Sequence, residues 1–332
     1  MRIGAIGLDH NHIFGMTHCL LEAGAELVSY VPQDHGLARA YAKHHADARP
    51  VADAGALLDD PSIDLVLSAA VPNERGAIGE AVLRHGKDFL SDKPGFTHPD
   101  QLERVRAAAR ETGRRYLVCF SERLESRATS RASALVRAGA IGRVIHTVGL
   151  GPHLLRAEQR PAWHFSREAT GGILTDLASH QIDQFMHFAD EIDPSISFAR
   201  VANRAHPDYP DLDDVGELAI AGANASGYVR VDWFTPEGLG VWGDVRLFVQ
   251  GTEGYIEVRK NVDVAGRARG DHLFLVDAQS TRHIDCAEEP LPFGAQLIAD
   301  VRERTETAMT QEHAFTASAL ALEAQRLAEA GP

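Results

Sequence analysis

Met1–Gly15 reads MRIGAIGLDHNHIFG, and the parsing of this stretch decides the fold. Arg2–Gly7 is a short apolar run of the kind that is buried on both faces of a sheet. Gly7 then closes the strand, and a helical pattern containing Gly15 follows. In sheets that begin this way, ligands bind at the carboxyl ends of the strands, where the next helix turns its free N–H groups and positive dipole end towards an anion. A phosphate loop at this point is expected to be glycine-rich, yet Asp9 and His12 occupy places where glycines would stand. Three readings are open. His10 and His12 donate to a phosphate in a modified cofactor loop; Asp9 caps the helix; or Asp9, His10 and His12 contribute to a metal site. The metal reading requires them to converge with further ligands such as His153 or His180.

Working outward, the first third alternates apolar runs (ELVSYV, DLVLSAA, DFLS, RYLVCF) with amphipathic segments over Ala38–His45, Glu74–His85 and Pro99–Thr112. Pro99 suits a helix start, and Gly86 and Gly113 suit helix ends. This rhythm predicts a doubly wound parallel sheet of Rossmann type over residues 1–121. Beyond Phe120 the pattern changes. A helix over SRASALVRAGAIG leads into the strand RVIHTVGLG, and a second helix is expected from Leu174 to Phe188. Period-two alternation then runs from Ile196 to Cys286, with GTEGY as a turn between strands. The expectation for residues 122–332 is an α+β domain with a large, mostly antiparallel sheet, closed by helices from about Ala295.

The 332 residues carry a formal net charge of −14, which argues against nucleic acid and anionic membranes as partners. Cys19, Cys119 and Cys286 form no CxxC pair and suit a reducing compartment. No run is long and apolar enough to span a bilayer. The start of the chain shows no signal-peptide pattern, so a cytoplasmic location is expected.

Two further stretches carry chemistry. In SDKPGF, Lys93 follows a buried strand, where an ammonium can hydrogen-bond a substrate hydroxyl and stabilise charge developing on it. In ATGGILTDLASHQIDQFMHF, Asp176, His180 and Asp183 fall at i, i+4 and i+7, on one face of a helix behind two glycines. His180 has the side chain for proton transfer near neutrality, and Asp176 can orient it or hold a hydroxyl. Asp183 reads as structural and His187 as a helix-end residue. Trp163 and His164, in RPAWHF, are candidates for lining the cleft. HPDYPDLDD reads as an acidic surface loop. DWFTPEGLGVWGD is either a carbohydrate-stacking surface or sheet packing. The position after the second strand, where an acid would hold the adenosine ribose, is occupied by Pro32, with Asp34 two residues on.

Taken together, AAVPNERG, GKDFLSDKP, ALVRAGAIGRV and GGILTDLASHQID, in this order and spacing, resemble the glucose–fructose oxidoreductase/inositol dehydrogenase/MocA (Gfo/Idh/MocA) family over Met1–Asp190. The resemblance implies an NAD(P)-dependent dehydrogenase acting on a sugar, cyclitol or related polyol, with NAD preferred to NADP. It assigns Lys93 to polarising the reacting hydroxyl, His180 to proton exchange and Asp176 to supporting them. The implied cofactor contacts are Gly7, Leu8, Asp9, His10, His12, Pro32, Ala70, Pro72, Asn73, Asp92 and Lys93. Substrate contacts would come from Lys93, Trp163, His164, Asp176 and His180. A homodimer or homotetramer through the second sheet is also implied. The chain departs from the family at Asp9, His12 and Pro32, at Asp92 for the usual Glu, and at Gly76 where a histidine is common. Two alternatives remain. One is a lyase or hydrolase on the same fold, using transient NAD oxidation or a metal, and the other is a non-catalytic ligand-binding member.

Overall fold

A computed structural model describes residues 1–331 and resolves them into two compact units. In chain order the first part runs β1 (Arg2–Ala5), α1 (His12–Glu22), β2 (Glu26–Tyr30), α2 (Gly36–His44), β3 (Arg49–Pro50), α3 (Ala54–Leu58), β4 (Leu65–Ser68), α4 (Pro72–Arg84), β5 (Asp88–Asp92), α5 (Pro99–Thr112) and β6 (Tyr116–Cys119). The second part runs α6 (Ser121–Leu124), α7 (Arg127–Arg137), β7 (Val144–Pro152), α8 (Arg167–Thr170), a π-helical turn (Leu174–Ala178), α9 (Ser179–Ala189), β8 (Ser195–Ala202), β9 (Val215–Ala221), β10 (Ser226–Asp232), β11 (Arg246–Gly251), β12 (Gly254–Arg259), β13 (His272–Asp277) and β14 (Thr281–Asp285). Two helices close the chain, α10 (Phe293–Glu303) and α11 (Gln311–Ala330).

The first unit comprises residues 1–119 and 292–318. Its six strands are all parallel, in the order β3-β2-β1-β4-β5-β6. Every residue of β4, β5 and β6 is buried, as helices on both faces of a parallel sheet require. Pro99 opens α5, and Gly113 ends it in the left-handed region at φ 66°. The strand order reverses between β1 and β4, so their carboxyl ends form the topological switch point, where a ligand crevice opens in such sheets. β3 spans only two residues, and neither it nor α3 has a periodic pattern that foretold it. α10 belongs to this unit and packs on α1, where a Cβ on Gly294 would lie 2.5 Å from the Cys19 carbonyl oxygen.

The second unit comprises residues 120–291 and 319–332, of which Pro332 lies outside the described residues. Its eight strands follow the order β14-β13-β12-β11-β7-β10-β9-β8 and are antiparallel except for the β7–β10 pair. The period-two reading holds: β9 and β11 alternate buried and half-buried residues along their whole length. α9 lies close on β7 because Gly149 and Gly151 leave room for Gln181; Cβ atoms there would come within 2.6 and 2.9 Å of its side chain. No helix among the described residues is long and apolar enough to cross a membrane.

Candidate active site

At the carboxyl edge of the six-stranded sheet, Gly7 has φ 75°, and a Cβ on it would lie 2.4 Å from that of Ala70. Only glycine accommodates both the left-handed turn and the close approach of β1 to the segment after β4. The loop is stitched to that segment, since the Asp9 and His10 N–H groups both donate to the Ala69 carbonyl, at 3.2 and 2.9 Å. The Leu8 N–H donates to Gln33 Oε1 at 2.6 Å. Asp9 turns the same way. Its two carboxylate oxygens accept from Gln33 Nε2 at 3.2 and 3.1 Å, and His35 Nε2 lies 3.5 Å away. Asp9 therefore stands beside the residue that follows Pro32 in the loop after β2, and it does not cap α1, whose Asn11 cap position has no side-chain hydrogen bond.

His10 and His12 face the other way, towards β5. Their Nδ1 atoms lie 3.3 Å from Asp92 Oδ2 and 2.8 Å from Asp92 Oδ1, with the two rings edge to face at 4.2 Å. Burial, followed by the neighbouring His12 charge, lowers His10 to about 3, so it is neutral across the physiological range. Burial alone would raise the Asp92 carboxyl, but His12, Arg75 and the imidazole hydrogen bonds hold it well below the usual carboxylate range. Asp92 Oδ1 also accepts the Lys93 N–H at 2.8 Å. Behind the group lies Arg75, almost fully excluded from solvent. It donates to Asp92 Oδ2 at 3.1 Å, to the Ala70 carbonyl at 2.7 Å, to the Pro94 carbonyl at 3.1 Å, and to the Lys93 carbonyl. The guanidinium thus pins the Lys93 and Pro94 carbonyls together with the Asp92 side chain, across the cis peptide bond between Lys93 and Pro94.

α4 begins at the same edge with Pro72 in its first turn. Ala70 and Pro72 are buried, Pro32 is exposed, and Asn73 Oδ1 is buried with no hydrogen-bond partner. Gly76 is required by packing, because a Cβ there would lie 2.9 Å from Gln101 Cβ, and Gln101 Nε2 donates to the Asn73 carbonyl at 2.8 Å. A nicotinamide dinucleotide suits this edge on two counts. Gly7 permits the close turn, and the orphaned Asn73 oxygen awaits a donor.

In the second unit, Asp176 lies in the π-helical turn, where its N–H donates to the Gly172 carbonyl at 2.9 Å, and His180 is the second residue of α9. The expected single helix is thus two pieces. The wider turn changes the angular step between Asp176 and His180, and such turns recur at functional sites. His180 is 2% exposed, with its ring edge-on to Phe120 at 6.4 Å. Asp183 is fully buried and held bidentately by Arg123 at 2.7 and 2.6 Å, a structural pairing. His187 Nε2 meets Ser133 Oγ at 2.8 Å at the far end of the helix.

Asp176 and His164 line one small cleft with Thr170, Asp211, Asp213 and Trp233. His164 is buried edge-on against Trp233 at 5.0 Å, while Trp163 stands half-buried beside it, outside that lining. His153 rests between Trp233 and Trp242 at 5.5 and 4.6 Å. The loop read as acidic surface divides. Asp208 and Asp211 are exposed, but Asp213 takes Arg167 and Gln325, and Asp214 accepts three N–H groups, from Arg204, Ala205 and the His206 ring. Arg75 and Gln33 were not expected at the site from sequence, whereas Trp233 belongs to the DWFTPEGLGVWGD stretch read as a carbohydrate-stacking surface or sheet packing. Arg75 lies inside the quoted AAVPNERG motif, but nothing local distinguishes a buried arginine from an exposed one.

The sequence matches the profile of an oxidoreductase family with an NAD-binding Rossmann fold over residues 2–120, and that of the GFO/IDH/MocA C-terminal domain over residues 129–257. It is 26% identical to 1-carboxy-3-chloro-3,4-dihydroxycyclo hexa-1,5-diene dehydrogenase of Comamonas testosteroni over 69% of this chain and 59% of that protein. It is also 26% identical to inositol 2-dehydrogenase 2 of Saccharopolyspora erythraea, over 81% of this chain and 76% of that one. A crystal structure from Erwinia carotovora atroseptica, provisionally described as an oxidoreductase, superposes with a TM-score of 0.95 at 40% identity, covering 99% of this chain and 98% of that one.

Proposed function

Because this chain belongs to the GFO/IDH/MocA oxidoreductase family, we propose that it exchanges a hydride between NAD and a ring hydroxyl of a cyclitol, sugar or sugar derivative. The observation that carries the reading is the framework around Lys93, a lysine only 5% exposed at the carboxyl end of β5, with Arg75 on its carbonyl and Asp92 on its N–H. These bonds fix the backbone from which the Lys93 side chain extends, and a fixed base suits an ammonium that must meet one oxygen in one orientation.

Lys93 donates to the reacting hydroxyl and stabilises the negative charge that grows on its oxygen as the proton leaves. His180 takes that proton, and returns it in the reverse direction. Asp176, in the cleft with His164 and Trp233, accepts hydrogen bonds from neighbouring hydroxyls. The nicotinamide, when bound, supplies the hydride acceptor. Gly7, Asn73 and the start of α1 would hold the dinucleotide. Asp9, drawn to Gln33 in the loop after β2, would take the ribose hydroxyls in place of the acid that Pro32 displaces. A carboxylate there repels a 2′-phosphate, which favours NAD over NADP.

The test is reduction of NAD and of NADP by a panel of inositols, aldoses and anhydrosugars, with nicotinamide fluorescence reporting binding. Turnover on at least one cyclic polyol is expected. Lys93→Ala and His180→Ala should each lower kcat by about 100-fold or more. Absence of both dinucleotide binding and turnover would overturn the proposal.

A further inference from the structure

The hydride exchange proposed above gives the side chains of the histidine pair on the first loop no step of their own. One ring nitrogen of His10, one of His12 and a carboxylate oxygen of Asp92 all lie within 4.8 Å of one another. We propose that these three residues form a binding site for a divalent transition-metal ion of the zinc or manganese class.

The geometry has the parts such a site needs. The H-x-H spacing sends both imidazoles to the same side of the loop, and their Nδ1 atoms meet the Asp92 carboxylate, 80 positions beyond His12. Two imidazoles, which are borderline donors, beside one hard carboxylate suit zinc, manganese or iron better than magnesium or calcium. The ligands are also braced from behind. Arg75 and the Lys93 N–H orient the Asp92 carboxylate, as hydrogen bonds behind metal ligands commonly do. Each Asp92 oxygen takes one protein donor, Arg75 on Oδ2 and the Lys93 N–H on Oδ1, and keeps a second lone pair on the side that faces His10 and His12. The site is reachable, since the His10 and His12 side chains are 20% and 31% exposed while Asp92 is 1% exposed. Three protein ligands leave coordination positions for water or for an oxygen of a bound molecule. Asp9 is not among the ligands. Its carboxylate is engaged by Gln33, on the opposite side of the loop.

The proposal stands apart from the hydride reading, and its test needs neither dinucleotide nor substrate. The full chain, stripped with a chelator, is titrated with zinc chloride and with manganese chloride by calorimetry, and cobalt is used as an optical probe. Saturable binding of one ion per chain is expected. His10→Ala and His12→Ala should each weaken it by at least about 10-fold and alter the cobalt spectrum, with circular dichroism confirming an unchanged fold. Asp92 is left intact because Arg75 depends on it. His18→Ala, an exposed histidine of α1 paired with Glu22, serves as the control and should leave binding unchanged. Failure of all three ions to bind, or binding insensitive to both cluster substitutions, would overturn the proposal. Hydride transfer by a protein that binds none of these ions would separate this failure from that of the functional reading.

Discussion

Arg75 Nη2 lies 3.1 Å from Asp92 Oδ2, and both side chains are 1% exposed. An arginine with no access to water is tolerated here because each of its three nitrogens meets an oxygen. Removing it leaves a buried carboxylate and several carbonyls without their donor. Arg75→Met is therefore expected to cost about 3–5 kcal/mol in a denaturant titration. Under the proposed function it should also lower kcat more than it raises KM, because Lys93 loses its brace. Wild-type stability with unchanged kcat would refute the bracing role.

Asp9 makes the proposed cofactor preference testable. Asp9→Asn keeps a hydrogen-bonding partner for Gln33 but removes the charge. The ratio of kcat/KM for NADP to that for NAD should rise by about 5- to 30-fold, a change of about 1–2 kcal/mol. An unchanged ratio would place the discrimination elsewhere.

Asp183 and Arg123 make a second buried bidentate pair, in the second unit. Asp183→Asn removes the charge while preserving shape, and should destabilise the protein by about 3–5 kcal/mol. If His180 acts as proposed, the effect on catalysis should be small beside that on unfolding, which thermal and kinetic measurements together can separate.

Asp300 closes the turn between α10 and α11, accepting from the Thr305 and Thr307 hydroxyls at 2.7 and 2.9 Å and from the Thr307 and Ala308 N–H groups at 2.9 and 2.8 Å. Burial alone would raise its pKa, but these four donors lower it below the usual value. The sign follows from linkage. The unfolded chain binds the proton more readily, so the contribution is complete above the unfolded pKa and declines as pH falls through the folded one. Asp300→Asn should therefore reduce the difference in stability between neutral pH and about pH 3. An identical pH profile in the variant would refute the assignment.

Cys286 is fully buried, and burial pushes its thiol up to about 12, while Cys119 is 1% exposed. Only the half-buried Cys19 offers access. A thiol reagent at mildly alkaline pH should label no more than one cysteine in the native protein and all three after denaturation.

Much of this architecture was legible in the order of residues, for a physical reason. Strands buried on both faces leave unbroken apolar runs, and DLVLSAA, DFLS and RYLVCF each contain one. Pro99 and Gly113 mark helix ends because one lacks an N–H and the other adopts positive φ at little cost. Within residues 196–286, β9 and β11 alternate because one side of each is turned to a core, while β8 and β14, the edge strands, have at least half their residues exposed. Lys93 was placed by the same logic, since a residue just after a buried parallel strand must emerge at the sheet's ligand-bearing edge.

What the local pattern could not carry is any relationship between distant positions. The sequence grouped Asp9 with His10 and His12 because they are neighbours in the chain. Tertiary structure sends Asp9 to Gln33 and the two histidines to Asp92, on opposite sides of one loop. Arg75 shows nothing in its neighbours that marks it as buried, because its partners lie 5 to 19 positions away on other segments. The π turn before His180 and the return of α10 to the first unit likewise depend on what packs against them. Local periodicity thus determined which segments are strand or helix and which face each hides. Only the closing of the chain in three dimensions decided which charges meet, because an electrostatic partner is chosen by distance in space and leaves no repeat in the sequence.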